Sequence, residues 1–240
     1  MTSGAEQRAE GSEPSGRRPT PPISRVVRSK EEAQASYNKL SRWYDLVAEP
    51  FEGKYREIGL EMLNPRPGER LLELGPGTGH GVAAMAKSVG PSGRVAALDI
   101  SMGMLSQTKS RLDRQDIERG AQLICGDAAR LPLAGEVFDG LFASFTLELF
   151  DTPEIQAVLD RCRWTLKEGG RFALVSMAKE QPANLMTRMY EWFHQHFPRY
   201  ADCRPIWPVQ ELERAGFQVI RDRRFSMVGL PVAVVLAVKL

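Results

Sequence analysis

Short apolar runs alternate with amphipathic stretches along most of the chain. The apolar runs predict buried strands at residues 70–74, 95–100, 121–125, 137–145 and 172–177. Between them, apolar residues recur at three- and four-residue spacing, which predicts helices. Continuous apolar strands that alternate with such helices are typical of a parallel sheet covered on both faces. The pattern therefore predicts an α/β fold.

The two ends of the chain depart from this alternation. Strands are predicted at residues 216–225 and 232–238, and they should pair antiparallel because no helix lies between them. Residues 1–29 are rich in Pro, Gly and Ser and poor in large apolar side chains, which predicts a disordered tail. Residues 30–64 have a helical pattern, and residues 178–207 form an insert rich in aromatic residues and Met.

Composition narrows the class of protein without indicating a chemistry. Of 240 residues, 42% are hydrophobic and 26% are charged, which is enough apolar content for a buried core. The net charge of +2 gives no bias toward a polyanion, so we expect no nucleic-acid partner. Three Cys without a CxxC pair and three His exclude a disulfide scaffold, and we expect no metal site. No apolar run reaches the ~18 residues of a membrane span, and we expect a cytoplasmic protein.

The most informative segment is a glycine loop directly after the first predicted strand. Residues 71–79 read Leu-Leu-Glu-Leu-Gly-Pro-Gly-Thr-Gly, and glycine permits sharp turns and close approach of a ligand to the backbone. Asp99 ends the next strand, where a carboxylate accepts hydrogen bonds from ribose hydroxyls. The GxGxxG dinucleotide fingerprint fails because its third glycine would fall at His80. Glu73, beside the loop, suits a ligand with a cationic amino-acid group.

Residues 71–79 resemble motif I of the class I S-adenosylmethionine-dependent methyltransferases. Four further segments resemble that family in order, and they begin at Asp99, Gly126, Phe138 and Leu166. The resemblance runs from about residue 35 to residue 240. It implies a Rossmann-like, seven-stranded, mostly parallel sheet of order 3-2-1-4-5-7-6, with the last strand antiparallel and helices on both faces.

The resemblance also implies S-adenosylmethionine as the cofactor and S-adenosylhomocysteine as its product. Asp99 would hold the ribose diol, and Asp127 would receive the adenine amino group. The residues implied to bind the cofactor are Tyr44, Glu73, Gly75, Gly77, Gly79, Asp99, Ile100, Met104, Asp127, Ala128 and Ser144. Within a methyltransferase domain of residues 30–240, residues 30–64 would form a helical lid and residues 178–207 a substrate cap.

Within this superfamily the chain most resembles the ubiquinone/menaquinone-biosynthesis C-methyltransferases, on the segment Tyr37-x6-Tyr44-Asp45 and on residues 126–133. It departs from them after the central strand, where Glu148 stands near the position of their arginine. We expect a small apolar or aromatic acceptor, with quinol-like C- or O-methylation favoured. Phospholipid or other small-molecule N-methylation stays open, as does a non-catalytic cofactor-binding sensor or partner subunit.

Two residues are candidates for the general base. Methylation of an aromatic carbon or a hydroxyl requires loss of a proton, and a general base contributes ~10²–10⁴-fold. The candidates are Glu148, after the central strand, and His194, in the aromatic insert. We expect the partner to be a small-molecule acceptor, with peripheral membrane contact through the cap if the acceptor is a lipid or a quinone.

Overall fold

The computed structural model describes residues 23, 25–26, 29–41, 44–47, 49–117, 120–130, 133–183, 185–196 and 203–240. Most of the predicted tail, residues 1–29, lies outside this description. So do Leu131 and Pro132 of the adenine-turn segment and, within the predicted cap, residues 184 and 197–202. The side chains of residues 40, 46, 47 and 193–196 also lie outside it.

Seven strands form one sheet in the order β3-β2-β1-β4-β5-β7-β6. Strand β7 pairs antiparallel with both β5 and β6, and the other pairs are parallel. The predicted architecture, strand order and antiparallel strand are confirmed. The strands are β1 (Arg70–Leu74), β2 (Arg94–Asp99), β3 (Ala121–Cys125), β4 (Phe138–Ser144), β5 (Leu166–Met177), β6 (Phe217–Met227) and β7 (Leu230–Lys239).

Helices precede the sheet and connect its strands. They are α1 (Lys30–Leu40), α2 (Tyr44–Val47), α3 (Glu49–Leu63), α4 (His80–Val89), α5 (Met102–Arg114), α6 (Thr152–Thr165), α7 (Leu185–His196) and α8 (Pro208–Arg214). Side chains of Ser29, Ser101 and Asp151 accept hydrogen bonds from the first backbone N–H groups of α1, α5 and α6. Such caps satisfy donors that a helix leaves unpaired, and they explain where these three helices begin.

Both faces of the sheet are buried because neighbouring side chains of a strand point in opposite directions. In β1, Leu71 packs into one apolar cluster with Val95, and Leu72 packs into the other with Leu98. The continuous apolar runs of the sequence thus reflect a strand that contacts helices on both sides. No helix in the described part of the chain is long and apolar enough to cross a membrane.

The structure places the start of β5 earlier than the sequence pattern does. Helix α6 ends at Thr165, and Leu166 already pairs with Phe138 of β4. A register shift follows between Phe138 and Gly140, and the predicted turn at Gly169 lies within this strand. The glycines that indicated a turn therefore accommodate an irregularity in a longer strand.

Candidate functional site

An open cleft lies at the carboxyl ends of β1, β2, β3 and β4 and holds about 1240 Å³ of empty space, including the part open to solvent. Strand β1 has β2 on one side and β4 on the other, and both pairs are parallel. Successive strands are therefore added on one side of β1 up to β3 and on its other side from β4 onward. Such a reversal creates a crevice outside the carboxyl ends of the strands, where doubly wound sheets bind ligands. Helices α1 and α2 contribute Ala33, Tyr37 and Tyr44 to the lining of the cleft.

Three glycines connect β1 to α4, and each has a positive φ. Gly75 and Gly77 line the cleft. A Cβ on Gly75 would clash with Thr146, whereas a Cβ on Gly77 would meet no atom within 4 Å. At Gly79 a Cβ would lie 2.8 Å from the backbone of Thr108 in α5. Gly79 therefore permits close packing of two helices, while Gly77 leaves open space that a ligand can occupy.

Glu73 does not line the cleft with the other predicted residues. Its side chain is 2% exposed and lies against Gly81 in the first turn of α4. Burial raises the pKa of Glu73 to about 8, with Arg56 opposing the shift and the charge of Asp99 contributing to it. A carboxylate suits a helix N-terminus because the helix dipole is positive there. The structure thus places Glu73 behind the glycine loop, in contrast to the expected direct contact with a ligand.

Asp99, Ile100 and Met104 lie together on the cleft wall at the end of β2 and the start of α5. One Asp99 oxygen accepts the Ser101 backbone N–H at 2.8 Å. Burial raises the pKa of Asp99 to about 6, although backbone hydrogen bonds favour its charged form. A carboxylate in this position gains from additional donors, such as the two hydroxyls of a ribose.

Asp127 and Ala128 line the cleft beyond β3, and the Asp127 carboxylate already has protein partners. One oxygen accepts the Ala129 N–H at 3.0 Å, and the other pairs with Lys30 Nζ at 2.6 Å. Lys30 also contacts Glu154 at 2.5 Å, so it connects α1 to α6. A carboxylate oxygen has two lone pairs, so Asp127 retains capacity to accept a further hydrogen bond.

Beyond β4 the wall of the cleft becomes mostly apolar. Ser144, Phe145, Thr146, Leu149 and Phe150 line it there, followed by Asp151 and Glu154, whose carboxylates pair with Arg25 and Lys30. Phe145 has a φ of 51°, a conformation that side chains rarely adopt and that is found preferentially at functional sites. Thr146 Oγ1 lies 3.2 Å from the Leu74 carbonyl, to which it donates, so it fastens this segment to the glycine loop.

Glu148 lies behind this wall and is not among the described residues that line the cleft. Its side chain is fully buried, and Oε1 accepts the Met177 N–H at 2.9 Å. Oε2 has no hydrogen-bond partner among the described residues. Burial, together with the Glu52 carboxylate, raises the pKa of Glu148 to about 8. A direct contact between Glu148 and an acceptor is therefore absent from this arrangement.

Glu52 in α3 is a titratable residue near the site that sequence analysis missed. Tyr44 Oη donates to Glu52 Oε2 at 3.3 Å, and burial raises the pKa of Glu52 to about 7. The two residues are eight positions apart, and no motif that carries the family resemblance includes Glu52. His194, the other candidate base, belongs to α7, but its side chain lies outside the described residues.

Asp45, Glu49 and His80 bring three possible metal-ligating atoms within 4.8 Å of one another. Arg111 pairs with Asp45 and Arg56 pairs with Glu49, so cations already neutralise both carboxylates. Asp45 also accepts a hydrogen bond from the Thr78 hydroxyl. The set thereby fastens α2 to the glycine loop, and its charge balance does not favour a divalent cation.

The described residues fit a nucleoside cofactor with an amino-acid group. Gly77 lies at the cleft with open space where a Cβ would be, and Asp99 presents a buried carboxylate beside the apolar Ile100 and Met104. The cleft provides close backbone approach, an acceptor for ribose hydroxyls and apolar side chains against which a base can pack. These are the contacts that such a ligand requires.

A family model described as a methyltransferase domain matches residues 71–170. The chain is 29% identical over 170 residues to the demethylmenaquinone methyltransferase of Lactobacillus johnsonii, covering 69% of this chain and 68% of that protein. It is 34% identical over 175 residues to the malonyl-[acyl-carrier protein] O-methyltransferase of Methylococcus capsulatus, covering 72% of this chain and 60% of that protein.

The fold is similar to that of a solved S-adenosylmethionine-dependent methyltransferase from Aquifex aeolicus. The TM-score is 0.61 at 19% identity, and the match covers 86% of this chain and 98% of that one. The glycine loop, the acidic residue at the end of β2 and the strand order agree with these matches. These matches and the geometry of the cleft identify the chain as an S-adenosylmethionine-dependent methyltransferase with the class I fold, similar to the group that includes the demethylmenaquinone methyltransferases.

Proposed function

We propose that this methyltransferase transfers the methyl group to a small apolar or aromatic acceptor, with a quinol-like hydroxylated ring favoured. The observation that carries the proposal is the division of the cleft. Its β1–β3 side presents glycines and carboxylates, whereas Phe145, Leu149 and Phe150 line it after β4, and Tyr37 and Tyr44 also belong to the lining. The carboxylates of Asp151 and Glu154, which follow in the chain, are paired with Arg25 and Lys30. An apolar wall favours burial of an aromatic acceptor over that of a charged one.

On the cofactor side, we assign each residue a role according to its contacts. Asp99 would accept the ribose hydroxyls, and Gly75 and Gly77 would let the backbone approach the amino-acid part of the cofactor. Asp127 and Ala128 would bind the adenine ring, with Ile100 and Met104 packed against it. Tyr44 and Ser144 would lie near the reacting end. Glu73 and Gly79 would act indirectly, by holding α4 against the loop.

Bound S-adenosylmethionine supplies an electrophilic methyl group on a sulfonium. The chain therefore needs to align an acceptor with that methyl group and to exclude water, and such positioning accounts for much of the rate. The residues that line the β4 side provide the apolar surface for the acceptor. An acceptor that carries a hydroxyl or an aromatic C–H also needs a proton acceptor nearby.

We also propose that residues 30–64 act as a lid within a domain of residues 30–240. Gln34 Nε2 donates to the Ile100 carbonyl at 2.7 Å, and Asn38 Oδ1 accepts from Ser101 Oγ at 2.7 Å. Helix α1 is thus fastened to the end of β2, beside the predicted ribose contact. Residues 178–207 would complete the cleft as a cap, and this cap would contact a membrane if the acceptor is a lipid or a quinone.

The test is methylation with deuterium-labelled S-adenosylmethionine. Purified protein is incubated with naphthohydroquinone and, separately, with apolar and polar metabolite extracts, and labelled products are identified by mass spectrometry. A labelled C- or O-methyl aromatic product supports the proposal, and Asp99→Asn should abolish it at limiting cofactor. Labelled amines alone would indicate N-methylation, and cofactor binding without any product would indicate a sensor or partner subunit.

A further inference from the structure

Behind the apolar wall, two carboxyl groups and a tyrosine hydroxyl meet in a buried cluster. Tyr44 lines the cleft, whereas Glu52 and Glu148 are not among the residues that do. Tyr44 Oη donates to Glu52 Oε2 at 3.3 Å. Glu148 is fully buried, with Oε1 bound by the Met177 N–H and Oε2 without a partner among the described residues. Tyr44 therefore stands between the cleft and the carboxyl groups.

The charged and titratable groups around the cluster come from several elements. Burial raises the pKa of Tyr44 well above its usual value, and Glu52, Cys203 and Glu148 raise it further. The groups that face Glu52 are the Tyr44 hydroxyl and Arg56, which lower its pKa, and Glu49, which raises it. The groups that face Glu148 are Glu52, which raises its pKa, and Arg204, which lowers it.

Two functions are conceivable for buried carboxyl groups next to an acceptor site, and geometry decides between them. A site for an ammonium group would need a charged carboxylate at the cleft surface. Here the carboxyl groups lie behind Tyr44, and burial favours their neutral form near neutral pH. Groups with a pKa near the working pH are instead suited to exchanging protons. The cluster therefore fits proton transfer better than cation binding.

We propose that Tyr44 takes the proton that the acceptor loses and passes its own hydroxyl proton to Glu52, with Glu148 as the second carboxyl group of the pair. The inference rests on the proposed methylation of a hydroxylated aromatic acceptor. Tyr44 would be a catalytic residue, since it lines the cleft. Glu52 and Glu148 act through Tyr44 and are positioning residues.

The step balances in atoms and charge. An electron pair of the acceptor forms the new bond to the methyl carbon, and the pair of the broken carbon–sulfur bond stays on sulfur. The acceptor's proton moves to Tyr44 Oη while the Tyr44 proton moves to the Glu52 carboxylate. The sulfonium charge and the carboxylate charge both disappear, and Glu52 later releases its proton to solvent. No oxidant or reductant is required.

The first test needs no acceptor. Carboxyl carbons of glutamate are labelled with carbon-13 and titrated by NMR, and Glu52→Gln and Glu148→Gln identify the two signals. We expect both to titrate at least two pH units above the usual ~4.3 of glutamate, and Glu52→Gln should shift the Glu148 titration downward. Usual midpoints for both signals, or a Glu148 signal unmoved by Glu52→Gln, would overturn the proposal.

The second test is the pH profile of turnover on naphthohydroquinone. In the wild type, kcat should rise with pH as Glu52 ionises and then level off. Glu52→Gln and Tyr44→Phe should lower kcat ~10²–10⁴-fold and remove the rising limb. Because Glu52 does not line the cleft, Glu52→Gln should keep its affinity for S-adenosylhomocysteine within about twofold of the wild type. Retention of wild-type kcat and pH profile by both variants would overturn the proposal.

Matched controls separate this role from a structural one. Glu61→Gln changes an exposed glutamate of the same helix, and Tyr55→Phe removes a buried hydroxyl that donates to the Ser226 carbonyl at 2.8 Å. Both should keep the rising limb. A wild type inactive on naphthohydroquinone would contradict the quinol-like acceptor of the proposed function, whereas the NMR titration tests the buried pair independently of that outcome.

Discussion

Gly77 and Gly169 both have a left-handed backbone conformation but lie in different places in the fold. Their φ angles are 55° and 73°, and a Cβ at either meets nothing within 4 Å. Alanine at either position should cost roughly 1–2 kcal/mol of unfolding free energy, because the left-handed region disfavours a Cβ. Only Gly77 lines the cleft. Gly77→Ala should therefore weaken S-adenosylhomocysteine binding at least about tenfold by calorimetry, while Gly169→Ala should not. Equal affinities would contradict a close approach of the cofactor at Gly77.

Asp99 predicts a pH dependence of cofactor binding. Its pKa is raised to about 6 by burial, and its charged form is the better acceptor for ribose hydroxyls. S-adenosylhomocysteine affinity should therefore rise as pH increases through about 6 and should fall by up to tenfold per pH unit below it. Asp99→Asn should bind more weakly at pH 7 and lose this dependence. Asp113→Asn, at a half-exposed carboxylate of α5, should behave as wild type. A flat wild-type profile between pH 5 and 7 would contradict the role of Asp99.

The sequence predicted the position of a site residue where that position follows from the neighbouring residues in the chain. Asp99 and the three glycines follow directly after strands, so their place at the carboxyl edge follows from the sequence pattern. Lys30 contacts Asp127, which lies 97 residues away, and Thr146 contacts Leu74, which lies 72 residues away. No sequence spacing encodes such contacts. Glu73 has the expected place in sequence, but its side chain contacts α4 instead of the cleft.

At the scale of elements, α1 and α2 show where periodicity fails. Apolar residues recur at helical spacing from residue 33 to residue 47, and the structure describes helix at Lys30–Leu40 and at Tyr44–Val47. Asp45 of α2 contacts Thr78 and Arg111, which lie 33 and 66 residues away. These tertiary contacts position α2 against the glycine loop and α5, and a pattern of apolar positions does not reveal them.

The docking of α1 on α5 should control how fast the cofactor leaves. Asn38 Oδ1 accepts from Ser101 Oγ and from the Gly103 N–H at 2.7 and 2.9 Å. Asn38→Ala removes both hydrogen bonds, each of which contributes ~1 kcal/mol. We expect S-adenosylhomocysteine to dissociate about tenfold faster in stopped-flow experiments, with faster amide exchange confined to α1. Lys39→Ala, at an exposed neighbour in the same helix, is the control. An unchanged dissociation rate would contradict a lid role for α1.

At the scale of the whole molecule, strand order was predictable because the family resemblance specifies it, and the antiparallel pairing of β6 and β7 followed from the missing crossover helix. The carboxyl and amino ends of the strands have different roles. The cleft lies at the carboxyl ends of the strands, whereas at the amino end Arg171 pairs with Glu69 and donates to the Leu63 carbonyl. Contacts at the amino end are therefore expected to stabilise the fold without affecting the site.

A comparison of Arg171→Met with Asp99→Asn tests this separation. Arg171 makes two hydrogen bonds to Glu69, at 3.0 and 2.9 Å, and its loss leaves a largely buried carboxylate with the Arg66 N–H as a partner but without this cation. We expect a loss of about 2–4 kcal/mol of unfolding free energy. Saturation with S-adenosylhomocysteine at 100 times its Kd should still add about 2.7 kcal/mol, as in the wild type.

Asp99→Asn should show the opposite behaviour. It should not lower the unfolding free energy at pH 7, because burial disfavours the carboxylate that it replaces. It should, however, gain less stability at the same ligand concentration, because binding is weaker. The two changes should add in the double variant, since the sites lie at opposite ends of the sheet. If Arg171→Met reduced the unfolding free energy that S-adenosylhomocysteine adds, the amino end of the sheet would be energetically coupled to the cleft. Contacts at the amino end would then affect binding as well as stability.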